Sequence, residues 1–395
     1  MSEKPLQPAT RLAHGGRRDK SAHGPVNTPV VRASTMLFPD TAALRAAQGS
    51  RTDYGRLSTE TTRALEDALC EVEGAAGCLL LPSGLAAITT TLLGLLAPGD
   101  HLLMVDSTYE PTRIFCNGTL KRMGVEVEYY DPLIGAGIEA LMRPNTKLVF
   151  VESPGSLSFE VQDVPAIAAV AHSHDALVVA DSTWATPLGW RSFELGIDVS
   201  LHAATKYIVG HSDVMMGVIL CNVATYPGLR RFHCEMGLTV GSDDAYLALR
   251  GLRTLAARLA MHGQHARAVA QWLQVQPEVD TVLYPPLASS PGHDLWQRDF
   301  LPQYACGLLC VQFKVGISKA QVDALVDATR LFGIGYSWGG YESLILPVNP
   351  SRLRAVTAER WAGKAMVRLH IGLEDPADLI ADLERGFDVL RTTVP

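Results

Sequence analysis

Residues 176–187 have the sequence Ala-Leu-Val-Val-Ala-Asp-Ser-Thr-Trp-Ala-Thr-Pro. The run 176–180 is apolar without alternation, which is typical of a strand that is buried on both faces of a mainly parallel sheet. Asp181 follows directly, and a carboxylate at the carboxyl end of such a strand faces the crevice where open α/β sheets bind ligands. Because an Asp in this place is more often a turn former or a helix cap, the run predicts the fold more firmly than it predicts a site.

Similar apolar runs alternate with amphipathic stretches on either side of this segment. Strands are predicted at His101–Val105, Val125–Tyr129, Lys147–Val151, Ala176–Ala180 and Val199–His202. Helices are predicted at Thr61–Gly74, Gly84–Leu96, Glu110–Arg122 and Val164–His174. This alternation predicts an α/β domain with a mainly parallel sheet.

The C-terminal third has a different pattern. A long helical stretch at Ser242–Leu273 leads to predicted strands at Gly307–Phe313 and Met366–Ile371, and to predicted helices at Lys319–Ala328 and Pro376–Leu390. We expect a smaller α+β domain here, since 395 residues suit two cores better than one. The predicted boundaries are residues 61–255 for the α/β domain and 256–395 for the smaller one.

Composition excludes several classes of protein. The chain is 47% hydrophobic and 19% charged with a net charge of −7, and it has no block of like charge, so we expect no nucleic-acid and no membrane partner. Seven scattered cysteines without a CxxC pair, and a polar start at residues 1–19, predict a reduced, cytoplasmic protein. The pairs His172/His174 and His262/His265 lack a ligand set that would complete a zinc site, so no metal is predicted.

Three features together predict a pyridoxal 5′-phosphate (PLP) site. Lys206 follows the predicted strand at 199–202 and can act as an amine nucleophile that forms a Schiff base. Asp181 can keep the pyridine nitrogen protonated, and Ser83-Gly84-Leu85 opens a helix whose N–H groups suit a phosphate. Each feature alone has an ordinary explanation, as a solvated lysine, a turn or a helix cap. Their occurrence at successive element boundaries favours the cofactor site.

The string Ala-Ala-Thr-Lys-Tyr-Ile-Val-Gly-His-Ser-Asp at residues 203–213 resembles the lysine motif of the cysteine/methionine-metabolism PLP enzymes. Further matching strings occur at residues 26–30, 82–84, 152–154, 250–255, 336–344 and 368–374, so the resemblance covers nearly the whole chain. It implies the aspartate-aminotransferase-like architecture (fold type I). It also implies a carbon–sulfur lyase that converts L-cystathionine to homocysteine, pyruvate and ammonia in methionine biosynthesis, with cystine or other cysteine conjugates as further substrates.

The resemblance assigns cofactor roles to specific residues. Lys206 would carry PLP and afterwards move protons, Asp181 would pair with the ring nitrogen, and Tyr109 would stack on the ring and take part in catalysis. The phosphate would be held by three residues: Gly84, Leu85 and Thr205.

The resemblance also implies a shared site and a substrate clamp. Tyr54 and Arg56, in an N-terminal arm of residues 1–60, would reach the phosphate of the neighbouring subunit in a homotetramer that is a dimer of dimers. Arg368 would bind the substrate α-carboxylate with help from Ser337 and Trp338. Arg368 could instead be an ordinary surface ion-pair partner, and Trp338 could be simple core packing.

Two alternatives stay open from the sequence. The segment Leu57–Glu60 departs from the family pattern in a loop expected to border the neighbouring site, which leaves room for a γ-lyase or γ-synthase of the same family. A non-catalytic, PLP-binding regulatory oligomer is the second alternative. The presence of Lys206, Asp181 and Arg368 disfavours it, because a binding protein needs no nucleophilic amine.

Overall fold

The computed structural model describes residues 6–17, 23–50 and 53–394. Within these residues, seven strands form the larger sheet, in the order β1-β7-β6-β5-β4-β2-β3. The strands are β1 (Gly77–Leu81), β2 (His101–Val105), β3 (Glu126–Tyr130), β4 (Thr146–Glu152), β5 (Leu177–Asp181), β6 (Val199–Ala203) and β7 (Gly217–Cys221). Strands β6, β5, β4, β2 and β3 pair in parallel, whereas β7 is antiparallel to both of its neighbours. The predicted mainly parallel α/β sheet is confirmed, and each predicted strand lies within one residue of the observed one.

Both faces of this sheet are covered by helices, which explains the continuous apolar runs. Along β2, Leu103 and Val105 pack in one hydrophobic cluster, and Leu102 and Met104 pack in another on the opposite face. All of β1, β2 and β7 is buried. Strands in such a position need apolar side chains at every residue rather than at alternate residues.

The helices follow the strands as an α/β sequence predicts. They are α1 (Pro8–His14), α2 (Thr41–Ala47), α3 (Glu60–Glu73), α4 (Gly84–Leu95), α5 (Glu110–Phe115), α6 (Val164–Ser173), α7 (Thr186–Gly189), α8 (Tyr226–Glu235), α9 (Ser242–Arg253), α10 (Leu255–Gln274), α11 (His293–Asp299), α12 (Lys319–Ala328), α13 (Ala358–Trp361) and α14 (Pro376–Thr392). Short 3₁₀ turns lie at 135–141, 192–195, 302–304 and 350–353.

Two predicted helices differ from the observed ones. The helix predicted at 110–122 ends at Phe115 and continues as one π-helical turn, Cys116–Leu120. The single stretch predicted at 242–273 is two helices, and the break falls at Thr254, not at either glycine within the stretch.

The segment Leu57–Glu60, which we expected to be a loop, is non-helical over residues 57–59 and leads into α3, which begins at Glu60. Thr59 is the N-cap of this helix and forms a capping box with Thr62, and Glu60 is already in its first turn. Ser58 and Thr59 are buried. The Thr59 hydroxyl accepts from the Thr62 amide and the Thr62 hydroxyl accepts from the Thr59 amide, so these two side chains satisfy amides at the start of the helix.

The second sheet has five strands among the described residues, in the order β10-β11-β12-β9-β8. They are β8 (Val279–Leu283), β9 (Leu308–Phe313), β10 (Gly333–Ile334), β11 (Leu344–Val348) and β12 (Met366–His370). All pairs except β10–β11 are antiparallel. Helices α10, α12 and α14 pack with this sheet and with one another, which makes the predicted α+β unit.

The N-terminal region contains two contrasting segments. Helix α1 is anchored to the rest of the chain, since Leu12 is buried and its carbonyl accepts a hydrogen bond from Arg253 Nη1 at 2.6 Å. Helix α2 has no buried residue. In the part of the chain that is described, no helix combines the length and the apolar character needed to cross a bilayer.

Candidate active site

The ends of neighbouring strands bring the site residues together. Asp181 is the last residue of β5 and pairs in register with Glu152, the last residue of β4. Lys206 lies three residues beyond the end of β6, which is the other neighbour of β5. Because the carboxyl ends of parallel strands share one edge of a sheet, side chains from distant sequence positions converge here.

Asp181 is held by the turn that follows its own strand. Its Oδ1 accepts hydrogen bonds from the Thr183 amide at 3.0 Å and the Thr183 hydroxyl at 2.5 Å. Burial raises the pKa of Asp181, while the Thr183 bonds and the charges of His202 and Lys206 oppose that rise. A cation placed against this carboxylate would therefore be stabilised.

Lys206 has a partly buried amine. Its Nζ donates to Ser337 Oγ at 2.6 Å and lies 5.3 Å from the centre of the Trp338 ring. Burial, together with the charge of Arg368, lowers the pKa of Lys206 to about 8, and Asp181 acts in the opposite direction. Near neutral pH, an amine with this pKa is far more often in its nucleophilic, neutral form than an exposed lysine is.

Arg368 and Ser337 form the side of the site that belongs to the second sheet. Arg368 lies on β12 and donates from Nη2 to the Ser337 carbonyl oxygen at 3.0 Å. Burial lowers the pKa of this guanidinium, and the charges of Cys310, Tyr109 and Tyr336 oppose that shift. Arg368 is only partly exposed and bonds a backbone carbonyl, which suits a ligand carboxylate better than the surface ion pair that we considered.

Tyr109 and Glu152 form a further contact at the strand ends. Tyr109 precedes α5, and its amide donates to Glu152 Oε2 at 2.7 Å. Burial, with the charges of Asp181 and Glu152 next, raises the pKa of the Tyr109 phenol. Burial and the neighbouring Asp181 hold the pKa of Glu152 well above its usual range. The sequence prediction gave Glu152 no role, although its place at a strand end beside Asp181 could have identified it.

The start of α4, called the phosphate cradle below, presents backbone amides that could bind an anion. Ser83 caps this helix by accepting from the Ala86 amide at 3.1 Å, which leaves the amides of Gly84 and Leu85 without an intrahelical partner. Gly84 lies directly against β6: a Cβ added to it would be 2.5 Å from Ala203 Cβ. Thr205, two residues beyond that contact, bonds the backbone of Met216 through its hydroxyl.

Tyr54 and Arg56 are not joined to this group. Arg56 Nη1 donates to the Cys234 carbonyl at 3.1 Å, and Tyr54 forms an isolated bridge with Thr35. Among the described residues, no hydrogen bond or ring contact links either of them to Lys206 or Asp181. Their predicted role in a neighbouring subunit's site remains a prediction.

The histidine pairs are engaged in other contacts. His172 and His174 bond Asp198 and Glu139, and His262 bonds the Ile371 carbonyl. Within the described residues, three or more His, Cys, Asp or Glu side chains are nowhere grouped in a way that could hold a metal ion.

The residues at this edge of the sheet fit PLP. The Lys206 amine can bind the aldehyde, and the buried Asp181 suits the ring nitrogen. The Gly84 and Leu85 amides at the positive end of a helix suit the phosphate. Because Gly84 has no Cβ, the start of α4 can approach β6 closely. This close approach brings the Gly84 and Leu85 amides to the end of the strand that precedes Lys206.

Comparison with known proteins identifies the family. The family model described as "Cys/Met metabolism PLP-dependent enzyme" matches residues 9–388. The chain belongs to this family of PLP-dependent enzymes.

Individual relatives narrow the similarity further. The chain is 43% identical to "Cystathionine beta-lyase MetC" of Escherichia coli, over 98% of this chain and 99% of that protein. It is 44% identical to "Cystathionine beta-lyase" of Bordetella avium, over 92% of each chain. The crystal structure of metB from Corynebacterium glutamicum superimposes with a TM-score of 0.87 at 31% identity and covers 97% of this chain and 98% of that one.

Proposed function

We propose that this protein is a cystathionine β-lyase, a PLP-dependent carbon–sulfur lyase that converts L-cystathionine to homocysteine, pyruvate and ammonia. The observation that carries the proposal is the environment of Lys206. A partly buried amine with a pKa of about 8 bonds Ser337 and is influenced both by a carboxylate that suits a pyridine nitrogen, Asp181, and by a guanidinium that suits an amino-acid carboxylate, Arg368. The similarity over nearly the full length to proteins named cystathionine beta-lyase supports the same substrate.

The cofactor residues have distinct tasks in this proposal. PLP, when bound, supplies an electron sink that stabilises negative charge at the substrate Cα. Asp181 would keep the ring nitrogen protonated, and Tyr109 would contact the ring as an aromatic partner. The phosphate is held by the first-turn amides of Gly84 and Leu85 and by Thr205.

The substrate residues orient and deprotonate the amino acid. Arg368 binds the α-carboxylate, and Ser337 and Trp338 form the wall beside it. Lys206 Nζ takes the proton from Cα, a task for which a pKa near neutrality is well matched. The electron pair freed at Cα then forms the Cα=Cβ bond while the Cβ–S bond breaks with its electron pair leaving on sulfur, and Lys206 or Tyr109 returns a proton to the thiolate. Water hydrolyses the released aminoacrylate to pyruvate and ammonia.

A second subunit completes the site in this proposal. Around α2 the chain exposes apolar side chains that its own fold does not cover, including Val26 (67% exposed), Leu37 (93%) and Leu44 (49%). Exposed apolar surface of this kind marks contact with another chain. We propose that the part of the predicted N-terminal arm around α2 contacts a neighbouring copy in a homotetramer that is a dimer of dimers, where Tyr54 and Arg56 contact the partner's phosphate. We further propose a cytoplasmic role in methionine biosynthesis, with cystine and other cysteine conjugates as additional substrates.

Product analysis on L-cystathionine tests the function. Pyruvate together with homocysteine is the expected outcome, because the bond that breaks is at Cβ. Formation of 2-oxobutyrate with cysteine would instead identify a γ-lyase, and a protein that binds PLP without turnover would support the regulatory alternative. Lys206→Ala is the matched control and should produce none of these products above background.

A further inference from the structure

The segment Tyr336–Gly340, which we call the serine loop, connects β10 to β11 and lies against Lys206. Ser337 contributes two contacts from this loop: its Oγ accepts from the lysine amine, and its carbonyl accepts from Arg368. Ser337 has a φ of +90° and Gly339 a φ of +87°. A non-glycine residue in this region is strained, so other contacts must hold it there.

His370 lies directly behind the serine loop. It is the last residue of β12, two positions after Arg368, and it is fully buried. Its Nε2 lies 3.1 Å from the Gly339 amide and 3.2 Å from the Gly340 carbonyl oxygen. A neutral imidazole can use this nitrogen as acceptor from the amide or as donor to the carbonyl, so either tautomer ties the loop to the strand.

Tyr207 connects His370 to the turn at residues 204–209, which contains Lys206 and is called the lysine turn here. It follows Lys206 in sequence, and its hydroxyl lies 3.5 Å from His370 Nδ1 while it accepts from the Gly307 amide at 2.8 Å. Gly339 lies against the backbone of the same turn, because a Cβ there would be 2.8 Å from the Tyr207 nitrogen. The loop is therefore held between the lysine turn on one side and β12 on the other.

We propose that His370 is a positioning residue: it holds the serine loop in the conformation that brings Ser337 to Lys206. The same loop conformation also fixes the position of the Ser337 carbonyl oxygen, to which Arg368 donates a hydrogen bond. Through these two contacts His370 would influence both the amine that moves the proton and the guanidinium that binds the substrate. This consequence for catalysis rests on the proposed function, whereas the effect on the loop does not.

The charge state of His370 agrees with this role. The groups that face it are Tyr207, His262, Arg368 and Lys206. Burial, and then the positive charges among these groups, hold the pKa of His370 well below its usual value. The imidazole is thus neutral at physiological pH and retains one accepting and one donating nitrogen.

Three substitutions at this position separate hydrogen bonding from packing. His370→Phe keeps a ring in the core but removes both nitrogens. His370→Gln extends an amide to about the position of Nε2, whereas the shorter His370→Asn reaches only the position of Nδ1. The holoenzymes are compared by hydrogen–deuterium exchange of the peptide that contains residues 336–340, and by KM and kcat for L-cystathionine.

We expect loop exchange and KM to increase by about 3- to 10-fold in the Phe and Asn variants, as for the loss of one net hydrogen bond, and to return close to wild type in the Gln variant. The proposal would be overturned if loop exchange and KM of His370→Phe stayed within twofold of wild type. It would also be overturned if these values were no closer to wild type in His370→Gln than in His370→Asn. If the Phe variant does not fold, the Gln and Asn pair decides the question. Wild-type protein without lyase activity would defeat the proposed function, and the exchange comparison would still test His370.

Discussion

A methyl group added at Gly84 should weaken PLP binding without unfolding the chain. The Cβ of Gly84→Ala would lie 2.5 Å from Ala203 Cβ and 3.0 Å from Ala203 Cα, whereas ordinary contacts begin at 3.4 Å. The start of α4 must therefore withdraw from β6 by about 0.9 Å, the difference between 3.4 and 2.5 Å. Overpacking of this kind costs about 1–3 kcal/mol, which corresponds to roughly 5- to 150-fold in the dissociation constant if the strain falls on the phosphate cradle.

The assay is titration of apoprotein with PLP, followed by absorbance. Gly118→Ala is the matched control, because a Cβ there meets nothing within 4 Å, and it should bind PLP like wild type. The double variant Gly84→Ala/Ala203→Gly removes the 2.5 Å contact and should recover much of the lost affinity. The assignment of the phosphate cradle to this helix start would be refuted if Gly84→Ala bound PLP with a dissociation constant within twofold of wild type. It would also be refuted if the double variant recovered none of the lost affinity.

Three further predictions concern the neighbouring subunit and the titrating groups. Mixing Tyr54→Phe or Arg56→Ala subunits with inactive Lys206→Ala subunits should restore part of the activity through hybrid sites, and the absence of any complementation would argue against a shared site. Covalent capture of PLP by apoprotein should accelerate as the pH rises through about 8, the pKa of Lys206, and a midpoint near that of an exposed lysine would contradict the buried amine. Burial lowers the pKa of His262 to about 4, so the unfolded chain binds the extra proton between about pH 6.5 and 4. Stability should fall by up to about 3 kcal/mol on acidification through that range, and His262→Phe should show a smaller decrease in Tm over the same interval. If Tm of His262→Phe decreased as much as that of wild type, His262 would not be the cause of the loss of stability.

The sequence predicted the sheet well because burial on both faces leaves a local signal. The central strands β2, β4 and β5 each contain an uninterrupted apolar run, at 102–105, 148–151 and 177–180, and no long-range information is needed to recognise such a run. Asp181 could be identified because it directly follows one of these runs, and Lys206 because it comes shortly after the next predicted strand. The position of the break at Thr254 could not, because packing against the rest of the fold decides where a long helix bends, and a glycine within it is tolerated.

Residues whose role depends on contacts between distant segments were missed. Glu152 was overlooked although it directly follows the predicted strand at 147–151, as Asp181 follows its own strand, because its register with Asp181 is not visible in the sequence. His370 has a role only because the serine loop folds back onto β12, and that contact leaves no trace in the local composition. The start of α3 was predicted one residue late, at Thr61 and not at Glu60, because Thr59 caps the helix with Thr62 in place of the more familiar Glu or Gln.

The most direct test of the proposed site is the position of the covalent link to the cofactor. Protein purified with PLP is reduced with borohydride, digested and examined by mass spectrometry for a peptide that carries the reduced cofactor. We predict that the label is on Lys206 and that Lys206→Ala protein remains unlabelled. A label on another lysine, such as Lys364, or no label on protein that is visibly yellow, would contradict the account.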